Sequence, residues 1–458
     1  MYLTILLDAE DIVDPRSDDI SLEIARMFAE EGAPASFGIT GEKARLWEKR
    51  GRRDIIEAVS PLDINYHSNY SSVHPTVAEY LEGMGWEDGI QEVVRREGWG
   101  VTVMARIFGH PPTCWVTPGA TWGPQVTPAV RLMGLKGEAY GFTHLENPAH
   151  GTHCFCGTLC YANNYYGGFD AAFSNDRAFE ERWQRAHEEI VRRLRAGANW
   201  MSVYMCNPTT VRARVHWDKL NFDRGINTPP EQYRLSEWTS DAEWQVARRN
   251  MRRFVREIMR IPGVSGRTHA ELAALAEPPP SKVTPSELQV RARLAGRDGI
   301  STEDPLLSPA ELLYLWALWL DEGRPEGPLP WRYVEGPTEE AVPTPSLLAL
   351  GTAVARQAAG ALRREVERSG RLPANVTTAG ATLGIGTVFT VLARLVSGEE
   401  GEALQVPLSP QVPAIGNLLA SEVKHHVPGW LHKPDLDVSR HCAYTRLQSW
   451  TLKPALFR

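Results

Sequence analysis

Four short groups of polar residues carry the side chains of this sequence that can do hydrolytic chemistry. They are, in chain order, Asp8 with Glu10 and Asp11, His67 with His74, the Pro118-Gly119 turn, and Asn207. Carboxylates and imidazoles bind zinc and related divalent ions, and a metal-bound water needs a carboxylate to accept its proton. A further polar donor is needed to stabilise the oxyanion that forms. Together the four groups predict the site of a metal-dependent hydrolase.

The acidic group supplies both kinds of carboxylate that such a site needs. Asp8 and Glu10 stand two positions apart on a strand, so their side chains point to the same face. One of them can then bind the metal ion while the other accepts the proton. His67 and His74 supply the imidazole ligands.

The substrate pocket is predicted from aromatic and turn residues. The amide of Asn207 can donate a hydrogen bond to an oxyanion, but it cannot deliver a proton. A polar loop after the same strand holds Trp217 and Asp218, which either face a sugar ring or pack as a connection that closes the barrel. The predicted substrate-binding residues are Trp115, Pro118, Gly119, Trp122, Trp217 and Asp218.

Each of the four groups directly follows a stretch with the composition of a strand. These stretches are residues 2–7, 62–66, 113–117 and 200–206. Amphipathic helices such as 17–31 alternate with the strands up to about residue 275, which predicts parallel βα units. Since the C-terminal ends of barrel strands meet on one face, we expect the four groups to converge there. About seven strands favour a barrel over an open sheet.

The length of 458 residues predicts at least two domains. The proline-rich segment 277–281 is the predicted linker between an α/β domain at 1–276 and a mostly α-helical accessory domain at 282–458. An apolar helix face at 312–320 is expected either to pack against the barrel or to form a homo-oligomer.

The bulk composition bears on partners and location. A net charge of -7 and a pI near 6.0 argue against a nucleic-acid partner, which requires a basic face. No apolar run approaches the length of a membrane span, and no leader precedes the first strand. We therefore expect a cytoplasmic protein without a membrane partner, or a secreted one if a leader has been removed.

Residues 1–270, roughly, resemble the polysaccharide deacetylase superfamily, the NodB-homology domain of carbohydrate esterase family four. The resemblance lies in Asp8-x-Glu10, in His67-Ser68 and in the Pro118-Gly119 segment. It implies a distorted (β/α)7 barrel of the glycoside hydrolase and deacetylase type. It also implies a divalent ion such as zinc, and removal of N-acyl or O-acyl groups from a carbohydrate or a small N-acylated substrate. On this resemblance Asp8 is the base, and the metal ligands are Glu10 or Asp11, His67 and His74.

Three positions depart from the pattern of that superfamily. Ser71 stands where the second metal-binding histidine is expected, and His74 lies three residues further along. Asn207 stands where a histidine normally protonates the leaving group, and the arginine before the Pro-Gly segment is missing. A non-catalytic carbohydrate-binding protein on the same barrel is therefore the first alternative.

A glycoside hydrolase is the second alternative. It requires a second acid facing Asp8, with about 5–9 Å between the carboxyl groups. Asp218 and Glu146 are the candidates for this second acid.

Overall fold

The computed structural model describes most of the chain. The described residues are 1–119, 121–139, 151–162, 164–205, 211–344, 348–399, 404–413 and 431–458. They form two compact units. Within the described residues, the first unit contains 1–153, 158–275 and 431–441, and the second contains 154–157, 276–413 and 442–458. The division at 275 lies beside the predicted linker, but residues 431–441 belong to the first unit, whereas the sequence assigned them to the accessory domain.

Short strands and longer helices alternate up to residue 275. The strands are β1 (Tyr2–Ala9), β2 (Ala35–Ile39), β3 (Asp63–Tyr66), β4 (Cys114–Val116), β5 (Gly137–Ala139), β6 (Thr152–Phe155), β7 (Thr158–Tyr161), β8 (Asn164–Tyr166), β9 (Trp200–Met205) and β10 (Ser265–Gly266). The helices are α1 (Ser17–Glu31), α2 (Gly41–Lys49), α3 (Arg53–Val59), α4 (Val77–Tyr80), α5 (Trp86–Phe108), α6 (Val126–Leu132), α7 (Asp176–Arg195), α8 (Trp217–Asn221), α9 (Asp241–Ile258) and α10 (His269–Leu275).

The first unit is built on a curled parallel sheet. Its strands lie in the order β7-β5-β4-β3-β2-β1-β9-β8, with β10 also paired to β1, and each of these pairs is parallel. The prediction of parallel βα units is thus confirmed. The sheet forms a curled half-barrel, and the full (β/α)7 closure implied by the resemblance stays a prediction.

Local sequence explains the elements that lead to the site. In β1 every residue from Leu3 to Ala9 is buried, as expected for a central strand of a parallel sheet covered on both faces. Helix α1 has the predicted bounds and ends at Gly32, whose φ of 61° is the left-handed conformation that glycine adopts without a steric penalty.

The second unit has its own apolar core. Its helices are α11 (Pro285–Asp298), α12 (Pro309–Asp321), α13 (Thr352–Ser369) and α14 (Ile385–Ser397). Its short strands are β11 (Lys282–Val283), β12 (Leu329–Pro330), β13 (Leu348–Leu350), β14 (Asn375–Thr377), β15 (Thr382–Gly384), β16 (Leu404–Val406) and β17 (Lys453–Pro454). The last helix of the chain, α15, spans Ser439–Gln448.

Helix α12 lies in the core of the second unit. It begins with a capping box, in which the Ser308 side chain accepts a hydrogen bond from the Glu311 backbone N–H. Every residue from 312 to 320 is buried in the core of the second unit. This apolar face is therefore covered within its own unit, and a homo-oligomer of the chain stays a prediction. Among the described residues, no helix combines the length and hydropathy that crossing a membrane requires.

Candidate active site

The site is centred on Asp8, near the C-terminal end of β1. Its side chain is fully buried, and Tyr204 on the neighbouring strand β9 donates a hydrogen bond to its Oδ2. Across the other edge of β1, Asp8 lies opposite Gly38 on β2. A Cβ atom at Gly38 would lie 2.4 Å from Asp8 Oδ1. Glycine at position 38 therefore provides the space that the carboxylate occupies.

His67 brings its imidazole to two carboxylates at once. Its Nδ1 donates to the backbone oxygen of Val116, at 3.0 Å, which fixes the ring. Its Nε2 then lies 3.7 Å from Asp8 Oδ2 and 3.3 Å from Glu10 Oε2. The structure thus brings together three of the predicted residues, from the ends of β1 and β3.

Burial and charge set the protonation of this cluster. Burial, assisted by the negative charge of Glu10, raises the pKa of Asp8 to about 6, although His67 and Tyr204 oppose the shift. Burial also acts to raise the pKa of Glu10, but the hydrogen bond and charge of His67 bring it below its ordinary value. Burial acts to lower the pKa of His67, and the two carboxylates raise it above its ordinary value. Of these two carboxylates, Asp8 is therefore the one that titrates nearer neutral pH.

Ser71 forms a hydrogen bond with Glu10, the second carboxylate of the cluster. This serine occupies the position at which the resemblance calls for a histidine, and its Oγ donates to Glu10 Oε2 at 2.5 Å. It has a φ of 52°, in the left-handed region that non-glycine residues rarely adopt. The loop after β3 thus turns sharply at Ser71, and this turn points the Ser71 hydroxyl to Glu10.

A second histidine reaches the cluster from a distant part of the chain. His216 Nε2 lies 3.7 Å from Glu10 Oε1, and His216 Nδ1 donates to Asp218. Ser72 Oγ donates to the other oxygen of Asp218, at 2.8 Å. The sequence predicted Asp218 as a substrate-binding residue and did not assign His216 to the site. The signal was available, because His216 stands two residues before Asp218 in the loop that was predicted to lie near the barrel mouth.

Two of the predicted metal ligands, Asp11 and His74, form hydrogen bonds outside the cluster of Asp8, Glu10 and His67. Asp11 Oδ1 accepts from the backbone N–H groups of Val13 and Asp14, at 2.9 Å each, so this oxygen caps the turn that follows β1. His74 Nδ1 lies 2.7 Å from Glu79 Oε2, and its Nε2 lies 2.8 Å from a backbone oxygen of the 222–227 segment. The predicted set of Glu10, Asp11, His67 and His74 does not converge.

The described donor set does not fit the divalent ion that the resemblance implies. Asp8 Oδ1 is buried without a hydrogen-bond partner, and a carboxylate oxygen of this kind is a ligand that a metal ion can accept. Yet within the described part of the chain, no group of at least three histidine, cysteine, aspartate or glutamate side chains is arranged to hold a metal ion. The metal ion stays a prediction, and we derive no step through it.

The three predicted aromatic contacts are buried in the fold. Trp115 is fully buried and packs edge-on against Tyr66, at 5.5 Å between ring centroids. Trp122 Nε1 donates to Glu138 at 2.7 Å. Trp217 packs with Val13 and Phe222 in a small apolar cluster, which corrects the sugar-facing alternative in favour of the packed connection.

The remaining predicted residues have different outcomes. Pro118 is buried and its backbone oxygen accepts from Thr121 N, at 3.1 Å, while Gly119 is exposed and has a φ of 55°. These positions form a turn, and a role in substrate binding stays a prediction. Asn207 and Glu146 lie outside the described residues.

The comparisons with known proteins yield only distant likenesses. No protein-family profile matches the sequence, and no curated protein matches it. A putative polysaccharide deacetylase from Mycobacterium smegmatis is 14% identical, over 60% of this chain and 88% of that chain, with a TM-score of 0.39. A probable polysaccharide deacetylase from Pseudomonas aeruginosa PAO1 is 9% identical, over 60% and 89%, with a TM-score of 0.40.

A third similar structure is that of an enzyme with a different activity. The 4-alpha-glucanotransferase from Thermococcus litoralis is 11% identical, over 59% of this chain and 40% of that chain, with a TM-score of 0.38. Because all three TM-scores are below 0.5, no assignment of family or activity rests on these likenesses.

Proposed function

We propose that this chain is a hydrolase of the polysaccharide deacetylase type, which removes an N-acyl or O-acyl group from a carbohydrate. The observation that supports it is the convergence of Asp8, Glu10 and His67, with His67 Nε2 at 3.7 Å and 3.3 Å from the two carboxylates. An acyl-transfer hydrolase needs a base, a donor for the developing oxyanion and a proton source for the leaving group. The cluster contains a candidate for each role.

Asp8 is the proton acceptor in this proposal. With a pKa of about 6, its carboxylate predominates at neutral pH and remains basic enough to take a proton from water. The water oxygen then attacks the acyl carbon. The hydrogen bond from Tyr204 orients the carboxylate of Asp8.

His67 and His216 act on the other atoms of the reaction. The neighbouring carboxylates raise the pKa of His67 and so favour the charged form of its ring, and in this proposal that ring stabilises the oxyanion. His216, whose Nδ1 is held by Asp218, delivers the proton to the leaving nitrogen or oxygen as the bond to the acyl carbon breaks. This assigns to His216 the proton delivery that Asn207 cannot perform.

Release of acetate tests the proposal. The full chain is incubated with N-acetylated and O-acetylated oligosaccharides, and acetate and new reducing ends are measured separately. We expect acetate without reducing ends, and we expect Asp8→Asn to abolish its release while circular dichroism stays unchanged.

Asp11→Asn is the matched control for this substitution. The side-chain oxygen of the new amide would still accept the two backbone hydrogen bonds, so we expect activity to be retained. Full activity in Asp8→Asn contradicts the assignment of the base. New reducing ends without acetate favour the glycoside hydrolase, and saturable sugar binding without either product favours the non-catalytic binding protein.

A further inference from the structure

A second feature of the first unit is a cavity beside the cluster, enclosed by the loop at 68–77 and by helix α5. Its volume is about 280 Å³, near the lower end of the range for small-molecule pockets. We propose that this cavity binds one sugar ring of the substrate, next to the ring that carries the reacting acyl group. This proposal rests on the proposed function and names the substrate class of the same site.

The cavity adjoins the acid cluster through a single side chain. Ser71 lines the cavity, and its hydroxyl donates to Glu10 Oε2. A sugar ring bound in the cavity would therefore lie beside Ser71, the residue that forms a hydrogen bond with Glu10. The reacting bond and the occupant of the cavity are then parts of the same substrate molecule.

The lining of the cavity suits a polyhydroxylated ligand. It combines hydroxyl groups, an amide, an aromatic ring and a guanidinium group, from Ser68, Ser71, Thr76, Asn69, Tyr70 and Arg96. Small-molecule sites typically place a few polar groups among aromatic and apolar walls, and such groups fix the orientation of the ligand. A sugar ring presents both hydroxyl groups and an apolar face, so it matches both kinds of wall.

Arg96 lines the cavity and has hydrogen-bond donors that a ligand could use. Its Nε donates to Glu92 at 2.6 Å, and its guanidinium carbon lies 4.7 Å from the ring centroid of Tyr80. Among the described residues, no side chain or backbone oxygen accepts a hydrogen bond from its two Nη groups. Its side chain is 35% exposed, so these donors can reach a ligand.

Glu97 also lines the cavity, and its hydrogen bonds come from residues other than Arg96. It accepts hydrogen bonds from Tyr66 Oη and from the backbone N–H of Asn69, each at 2.7 Å. Burial raises the pKa of the Glu97 carboxyl above its ordinary value. The two donors lie on either side of His67 in the chain, so Glu97 fixes the cavity and the loop that carries His67 together.

Exposed aromatic side chains extend the surface beyond the cavity. Tyr70 is 44% exposed and Trp99 is 55% exposed. Arg45 lies between them, with its guanidinium carbon 5.3 Å from the Tyr70 ring and 4.6 Å from the Trp99 ring. Large aromatic side chains held in place by a cation at the rim of the cavity offer a stacking surface for a further ring of the same saccharide.

Binding to the full chain carrying Asp8→Asn tests the proposal without turnover. The probes are the trimers of N-acetylglucosamine, glucose and xylose, titrated by calorimetry. We expect at least one trimer to bind, and we expect Arg96→Gln to raise its Kd about tenfold because a hydrogen bond to a charged donor is lost. Tyr70→Ala is expected to weaken binding in the same direction.

Arg95→Gln is the matched control. Arg95 also pairs with Glu92, at 2.6 Å, but it does not line the cavity. An unchanged Kd in Arg95→Gln beside a raised Kd in Arg96→Gln supports the sugar site. Equal Kd values in the two variants, or no binding of any trimer, overturn it.

Kinetics of the chain with Asp8 intact separate this proposal from the proposed function. We expect Arg96→Gln to raise the KM for the acylated trimer and to leave the KM for the acylated monosaccharide unchanged. Acetate release that Arg96→Gln does not alter overturns the sugar site and leaves the hydrolase standing. Sugar binding that is weakened by Arg96→Gln, in a chain that releases no acetate, supports the site and overturns the hydrolase.

Discussion

The protonation of Asp8 governs how the proposed reaction depends on pH. Burial raises the pKa of this carboxyl to about 6, so the basic form is present above pH 6 and is lost as the pH falls through that value. Tyr204 donates to the carboxylate and stabilises its charged form. Removing that donor must therefore raise the pKa further.

We predict that Tyr204→Phe moves the acid limb of kcat/KM to higher pH. In the unsubstituted chain this limb should have its midpoint near pH 6, about two units above that of an ordinary aspartate. The measurement is a pH profile of acetate release. Tyr165→Phe, one strand further out on β8, is the control and should leave the limb in place. A midpoint that stays the same in Tyr204→Phe removes Asp8 from the role of base.

His216 was not identified from the sequence, and its proposed role makes a separate prediction. Removing a general acid lowers the rate by about 10²–10⁴-fold. We expect His216→Gln to lower kcat by this amount with acyl groups on nitrogen, and to have a smaller effect with a leaving group that needs no proton, such as a nitrophenolate. His110→Gln is the control, because His110 is exposed. An equal loss of activity on both substrates argues against proton delivery by His216.

At the scale of elements, the spacing between β1 and β2 limits what position 38 can hold. A methyl group on Gly38 would approach Asp8 Oδ1 to 2.4 Å, well inside van der Waals contact. We predict that Gly38→Ala displaces the carboxylate and lowers kcat/KM by at least about 10²-fold, since small misplacements of a catalytic group have effects of this size.

Gly98→Ala provides the control for that substitution. A Cβ at Gly98, in helix α5, would meet its nearest atom at 3.9 Å, which is an ordinary contact. We expect unchanged activity, and circular dichroism should show that both variants fold. If Gly38→Ala keeps the activity of Gly98→Ala, then the position of Asp8 is not set by the space at residue 38.

Elements with a strong periodic pattern were predictable, and loops were not. The bounds of α1 and the end of β3 follow from local composition, so Asp8, Glu10 and His67 were placed at the C-terminal ends of strands on one face of the sheet from the sequence alone. The path of a loop depends on distant partners. His74 Nε2 lies 2.8 Å from the backbone oxygen of Phe222, and His216 lies near Glu10, which is 206 positions away in the sequence. No local pattern encodes either contact.

At the scale of the whole molecule, the units are not simple halves of the sequence. Residues 154–157 and 442–458 belong to the second unit, and within it the backbone N–H of Cys156 donates to Thr451 Oγ1 at 2.8 Å. The proline-rich segment indicated a break near residue 276, because stiff, turn-prone composition has a local signature. No local signature in the sequence assigns a short distant segment to one unit or the other, because that assignment depends on contacts made only in the folded chain.

The core of the second unit allows stability to be separated from catalysis. Trp316 on α12 is fully buried, donates through Nε1 to the Leu288 backbone at 3.1 Å, and packs at 4.9 Å from Phe389. We predict that Trp316→Ala lowers the free energy of unfolding by about 3–5 kcal/mol, as truncation of a buried tryptophan does.

Urea denaturation of the full chain measures the loss in Trp316→Ala, and the exposed Leu408, also in the second unit, provides the control. Leu408→Ala should change the free energy of unfolding by less than about 0.5 kcal/mol. Because Asp8, Glu10, His67 and His216 all belong to the first unit, acetate release per folded molecule should stay unchanged in Trp316→Ala. A fall in kcat without a fall in stability would instead mean that the second unit contributes directly to the reaction.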